Sequence, residues 1–145
     1  MTHPYEGDVT AEACWNALRT EPDSFLVDVR TSAEWNFVGF PESPEGARAP
    51  IFAEWQSYPS MSVDPAGFVA RVAGAVEAAG GSRQSRIYFL CRSGARSMSS
   101  AATLTGAGFE HCFNVADGFE GPPDDEGHRG RVAGWKAAGL PWRQK

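Results

Sequence analysis

Six consecutive residues, Cys91-Arg92-Ser93-Gly94-Ala95-Arg96, follow the apolar run Ile87-Tyr88-Phe89-Leu90 and lead into a small-residue stretch. A cysteine between a buried strand and a helix N-terminus faces backbone N–H groups that have no partner within the helix. The helix dipole adds partial positive charge there, and Arg92 and Arg96 add whole charges. All three effects favour thiolate over thiol, and the thiolate is the competent nucleophile. The same donors suit an anion, or a persulfide once sulfur is attached. Gly94 removes the Cβ that would obstruct a tight loop. The plainer alternative is a buried cysteine at the end of a strand with solvated arginines, since free cysteine is among the most buried residue types.

A second candidate lies upstream, in Asp28-Val29-Arg30. Phe25 to Val29 is a short apolar run bounded by Pro22-Asp23-Ser24 and Arg30-Thr31-Ser32, which predicts a buried strand. Ile87 to Leu90 predicts another, and His111 to Val115 a third. Between them the pattern is helical. Thr10 is placed as N-cap of a helix carrying Ala11, Trp15 and Leu18 inward, and Ser32 as cap of a short helix through Trp35. Pro65 after Asp64 opens a helix ending near Gly80-Gly81, with Phe68, Val69, Val72, Val76 and Ala79 as its buried stripe. Ala95 to Ala107 and Arg131 to Ala138 are read as two more helices. Gly39 to Pro50 is read as loop, with a short strand at Ala47 to Ala49. Strands that are apolar throughout and alternate with helices imply an α/β fold with a central parallel sheet covered on both faces. Ligands in such folds sit beyond the carboxyl ends of the strands, which puts Asp28, Arg30 and Cys91 in one place.

The bulk properties narrow the classes. The chain has 145 residues, a formal charge of −5, 42% hydrophobic and 21% charged residues. That is ordinary globular composition for one domain. The negative balance argues against general nucleic-acid binding, which needs a basic surface to release phosphate counterions. The first residues lack a basic segment followed by an apolar run, so no secretory leader is expected, and no stretch has the roughly 20 apolar residues of a membrane span. Three widely spaced cysteines, Cys14, Cys91 and Cys112, do not make a disulfide framework. The expectation is a cytoplasmic protein with free thiols and no membrane partner.

Leu90-Cys91-Arg92-Ser93-Gly94-Ala95-Arg96-Ser97 resembles the active-site loop of rhodanese-like domains in its Cys-Arg-x-Gly-x-Arg-Ser form. Leu26-Val27-Asp28-Val29-Arg30, followed by the acidic and aromatic pair Glu34-Trp35, is similar to the Asp-Val-Arg element of those domains. Val115-Ala116-Asp117-Gly118-Phe119 with Trp135 resembles their closing segment. The three motifs stand in family order and together are specific. The resemblance implies a three-layer α/β/α rhodanese-like domain over residues 9–145, after a flexible segment 1–8. Three departures stand out. Gly39-Phe40-Pro41 and a longer insertion replace the usual Gly-His-Ile-Pro-Gly-Ala, Asp117-Gly118-Phe119 replaces a double glycine, and Gly121 to Gly130 is an acidic Gly/Pro-rich loop suited to a lid or a docking role.

The resemblance implies sulfur transfer of the thiosulfate sulfurtransferase type. Cys91 would attack the outer sulfur of a donor such as thiosulfate, and a thiophilic acceptor (cyanide, a small thiol or a thiol-carrying protein) would remove it. Arg92, Ser93, Gly94, Ala95 and Arg96 would bind the substrate, with Arg92 towards the donor's anionic end. Arg96 would turn back to Asp28, with Arg30 and Ser97 supporting the loop. Phosphatases or arsenate reductases on the same fold use a Cys-to-Arg loop of seven residues by family rule; six here favours sulfur. A non-catalytic sulfur carrier or sensor stays open. No cofactor or metal is expected, since His111 and His128 lack ligand spacing with the cysteines. Among minor candidates, Trp35 is placed at the pocket mouth and Cys112 is considered as a resolving thiol. His128-Arg129 is considered as an anion contact, and Cys14 as core.

Overall fold

The computed structural model describes residues 4–57 and 60–144. In chain order the elements are β1 (Gly7–Val9), α1 (Ala11–Thr20), β2 (Ser24–Asp28), α2 (Ser32–Phe37), β3 (Phe40–Pro41), β4 (Ile51–Phe52) and β5 (Gln56–Ser57). They continue with β6 (Ser62–Val63), α3 (Pro65–Ala78), β7 (Arg86–Leu90), α4 (Ala95–Gly106), β8 (His111–Val115) and β9 (Trp142–Arg143). Five strands form one parallel sheet in the order β1-β8-β7-β2-β4. β3 with β9, and β5 with β6, make two small antiparallel pairs.

Side chains along a strand alternate between faces, and here both faces are apolar. Phe25, Val27, Ile87, Phe89 and Cys112 pack on one side with Phe68, Val72 and Val76 of α3 and Ala101 and Leu104 of α4. Leu26, Tyr88, Leu90, Phe113 and Val115 pack on the other with Ala11, Cys14 and Leu18 of α1 and with Phe119 and Trp135. This is the three-layer α/β arrangement that the strand and helix pattern implies. The helix starts follow their caps. Thr10 Oγ1 accepts from Ala13 N at 3.1 Å, and Asp64 Oδ1 accepts from Gly67 N at 3.2 Å behind Pro65.

Four details depart from the sequence reading. The segment 1–8 expected to be flexible, of which residues 1–3 lie outside the described residues, contributes Gly7 and Asp8 to a strand, since residues 7–9 pair with Phe113 to Val115. The cap of α2 is Thr31, whose hydroxyl accepts from Glu34 N while Glu34 Oε1 accepts from Thr31 N, and the helix runs on to Phe37. Ala47 to Ala49 is loop; the edge strand is Ile51–Phe52. Arg131 to Ala138 is a series of bends and turns instead of a helix. There Gly134 sits at φ 103°, where an added Cβ would lie 2.8 Å from Gly118 O, so the chain is turned in to the loop beneath it.

Candidate active site

β7 ends at Leu90 and α4 starts at Ala95, so Cys91 to Gly94 is the tight passage between them. The first helical bond of α4 is donated by Met98 N to Gly94 O. The N–H groups of Ala95, Arg96 and Ser97 therefore precede the helix's own ladder and stand available at its N-terminus. Cys91 is 1% exposed, and Gly94 N–H donates to its Sγ at 3.1 Å. The Ser97 hydroxyl lies 3.2 Å from the same sulfur. Gly94 caps the helix at φ 108°, a left-handed conformation, and a Cβ there would strike the carbonyl oxygen of Ala116.

The loop is held from behind by residues 118–121. Phe119 N–H donates to Cys91 O at 2.8 Å, and Glu120 and Gly121 N–H both donate to Arg92 O, at 3.1 and 3.0 Å. Gly118 lies so close that a Cβ would meet the Arg92 carbonyl. Beneath Phe119, the Arg30 guanidinium stacks 4.2 Å from the ring centroid. Arg30 and Asp28 are both fully buried. Arg30 Nη2 bonds Asp28 Oδ2 at 2.7 Å and Gly39 O at 2.8 Å, and Nε bonds Asp28 Oδ1 at 3.0 Å. Among the described residues, Arg30 Nη1 has no hydrogen-bond partner.

This pairing corrects the expected contact between Arg96 and Asp28. Asp28 is already saturated by Arg30 two residues on, and Arg96 instead pairs with Glu34 of α2. The contact is bidentate, Nη1 to Oε1 at 2.5 Å and Nη2 to Oε2 at 2.9 Å. Burial alone would push the Glu34 carboxyl up, but the Arg96 guanidinium outweighs it and holds it below the usual carboxylate range. Arg96 is likewise penalised by burial and then raised above its ordinary value by Glu34. Arg92 and Ser93 are exposed, Ala95 is exposed, and Ser97 is buried. The arrangement thus presents one buried sulfur to the Gly94 N–H and the Ser97 hydroxyl at the start of α4, with exposed Arg92 next along the chain and Arg96 paired to Glu34.

The remaining candidates separate from the loop. Trp35 packs edge-on against Phe52, with centroids 5.2 Å apart. It lines a cavity of about 320 Å³ with Phe52, Ala53, Glu54, Ser57 and Arg71, none of them in the 91–96 loop. Cys112 stands opposite Ile87, four residues before Cys91 along β7. That is roughly 13 Å of strand, beyond disulfide reach. Burial pushes the Cys112 thiol up to about 11 and pushes that of Cys14 up as well. In the Gly121 to Gly130 loop, Asp124 Oδ1 accepts from Glu126 and His128 N–H, and Arg129 Nη1 donates to Gly121 O. The Arg129 guanidinium thereby closes the loop on itself. His111 Nδ1 lies 2.6 Å from Glu6. Among the described residues no group of three His, Cys, Asp or Glu side chains could hold a metal ion, and no helix is long and apolar enough to cross a membrane.

Sequence reasoning missed Glu34 as the partner of Arg96, and it missed Asn114 and Asp8 altogether. The adjacency of Glu34 to Trp35 after the Asp-Val-Arg element was the available signal for the first. The other two depend on a three-residue strand whose pairing no local pattern announces.

The class follows from this geometry and from comparison with known proteins. The rhodanese-like domain model matches residues 10–121, and the chain belongs to that family. A crystal structure of Rv0390 from M. tuberculosis superposes with a TM-score of 0.83 at 42% identity, covering 97% of this chain and 99% of that one. An uncharacterised protein of Rickettsia conorii is 34% identical over 136 residues, 94% of this chain and 96% of its own. The polysulfide-sulfur transferase homodimer of Wolinella succinogenes shares the fold, with a TM-score of 0.57 at 18% identity over 95% of this chain and 78% of that one.

Proposed function

We propose that the chain is a sulfurtransferase that carries sulfane sulfur as a persulfide on Cys91. The Cys91 thiolate attacks the outer sulfur of thiosulfate, the sulfur–sulfur bond of the donor breaks, and sulfite leaves with the bonding pair. The terminal sulfur of the Cys91 persulfide then carries the negative charge. A thiolate or cyanide acceptor attacks that sulfur, takes it as a persulfide or thiocyanate, and returns Cys91 as thiolate. Arg92, exposed and next to Cys91 in the chain, is the group assigned to the donor's sulfonate end. The Arg96–Glu34 pair holds α4 in place while the helix N-terminus faces the charge. The reaction needs no cofactor and suits the reducing cytoplasm, with a small-molecule donor and a thiol, small or protein-borne, as acceptor.

The observation that carries this reading is the six-residue Cys91–Arg96 loop with Gly94 N–H aimed at Sγ from 3.1 Å. Preorganised donors at the point where charge develops stabilise it without reorganisation. The test mixes the protein with thiosulfate and measures intact mass and released sulfite, in parallel with Cys91→Ser. Gain of one sulfur atom by the native chain alone, with matching sulfite, is expected. Hydrolysis of a phosphate monoester without sulfite release would overturn the reading. Loading with very slow transfer to any small thiol would make the chain a carrier instead of a turnover enzyme.

A further inference from the structure

A line of polar side chains leads from Cys91 to the edge of the sheet. Ser97 Oγ, 3.2 Å from Cys91 Sγ, donates to Asn114 Oδ1 at 2.6 Å. Asn114 Nδ2 donates to Asp8 Oδ1 at 3.0 Å, and Tyr5 Oη donates to the same oxygen at 2.8 Å. Cys91, Ser97 and Asn114 are each 1% exposed or less, whereas Asp8 is exposed on β1. The parallel register of β1 and β8 sets Asp8 directly opposite Asn114.

The direction of these bonds is dictated from the outer end. An ionised carboxylate only accepts. Asp8 therefore takes an amide hydrogen of Asn114 and turns the amide oxygen towards Ser97. That oxygen receives the single hydroxyl hydrogen, at 2.6 Å the shortest of the hydroxyl's contacts; Gly94 O and Cys91 Sγ both lie at 3.2 Å. Ser97 then faces the sulfur with lone pairs, which accept from a thiol S–H and oppose a thiolate. We propose that Asp8 and Asn114 are positioning residues that set the hydrogen-bond direction of Ser97 and so restrain ionisation of Cys91. When Cys91 does ionise, its proton leaves to solvent and the Ser97 hydroxyl turns from Asn114 to the sulfur, with no other bond made or broken. The inference rests on Cys91 being the reacting group of the site.

The charged groups around the thiol are Arg92 and Arg96 on its own loop, Glu34 on α2, and Asp28 and Arg30 at the end of β2. None touches Asp8, so Asp8→Asn changes the far end of the line while leaving these in place. Asn at position 8 no longer dictates which way the Asn114 amide faces, and Ser97 becomes free to donate to the sulfur.

The test follows the pH–rate profile of Cys91 alkylation by iodoacetamide, read by peptide mass, in four chains: native, Asp8→Asn, Ser97→Ala and the double variant. Asp8→Asn is expected to move the profile to lower pH and speed alkylation at its acid end by roughly threefold to tenfold, the net weight of one typical hydrogen bond. In the Ser97→Ala background the same change is expected to move nothing. An unmoved profile in Asp8→Asn would overturn the proposal. So would a shift that survives Ser97→Ala, because loss of the carboxylate charge acts equally in both backgrounds. Absence of sulfite release by the native chain would overturn sulfur transfer and leave the alkylation result standing.

Discussion

The Asp28–Arg30 pair is the part of the structure most exposed to a quantitative test. Both side chains are fully buried, joined through Nε and Nη2, and Arg30 lies flat on Phe119, whose N–H holds Cys91 O. Asp28→Asn keeps the shape but strips the guanidinium of its counter-charge. Breaking one side of a buried pair costs about 3–5 kcal/mol. For a chain of this size each kcal/mol moves the melting temperature by roughly 2–4 °C, so a drop of about 10 °C is expected. Arg30→Met keeps apolar contact with Phe119 and should cost less at low pH, because a lone buried carboxylate can be neutralised by a proton and a guanidinium cannot. Its stability should fall as pH rises above the ordinary aspartate value of about 4, since the folded state then binds the extra proton; Asp28→Asn should show no such slope. Replacing both, Asp28→Leu with Arg30→Met, should recover most of the loss. Differential scanning calorimetry at several pH values measures all three. A drop of less than about 2 °C in Asp28→Asn would refute the bracing role. Sulfur loading in the same variant should slow by roughly tenfold as the Cys91 carbonyl loses its fixed partner.

Two further outcomes follow from neighbouring contacts. Because Glu34 is held below the usual carboxylate range, its pairing with Arg96 stabilises the fold above the ordinary glutamate value and is lost as pH falls below about 4. Glu34→Gln should cost about 1–2 kcal/mol at neutral pH and flatten that acid loss, as read by urea titration. Gly118 sits at φ 70° against the Arg92 carbonyl, so Gly118→Ala should destabilise by about 2 kcal/mol and abolish loading. Gly74→Ala, in open space on α3, should stabilise by up to about 1 kcal/mol and leave loading intact.

What was legible in the sequence was whatever local chemistry announces. Ile87 to Leu90 reads as a strand because it is short, apolar and rich in β-branched and aromatic residues, His111 to Val115 carries Cys112, Phe113 and Val115 in a short run after Gly108, and the caps at Thr10 and Asp64 carry their own signatures. The Cys91 loop was legible because a strand, a glycine and a helix N-terminus meet there. The Arg131 to Ala138 helix failed because Gly134 is needed at positive φ under Gly118, a tertiary demand that overrides local propensity. The partner of Arg96 was misassigned because two acidic residues were available, and only the fold shows that Arg30 already occupies Asp28. Asp8 and Asn114 were invisible because their contact is made by strand register across 106 residues of chain.

The most direct measurement of the central claim is the intact mass of the native chain and of Cys91→Ser after incubation with thiosulfate, with sulfite quantified in the same samples. One added sulfur atom and an equivalent of sulfite from the native chain, with neither from Cys91→Ser, is the result expected. Sulfur retained on Cys91→Ser, or no mass gain on the native chain, would contradict it.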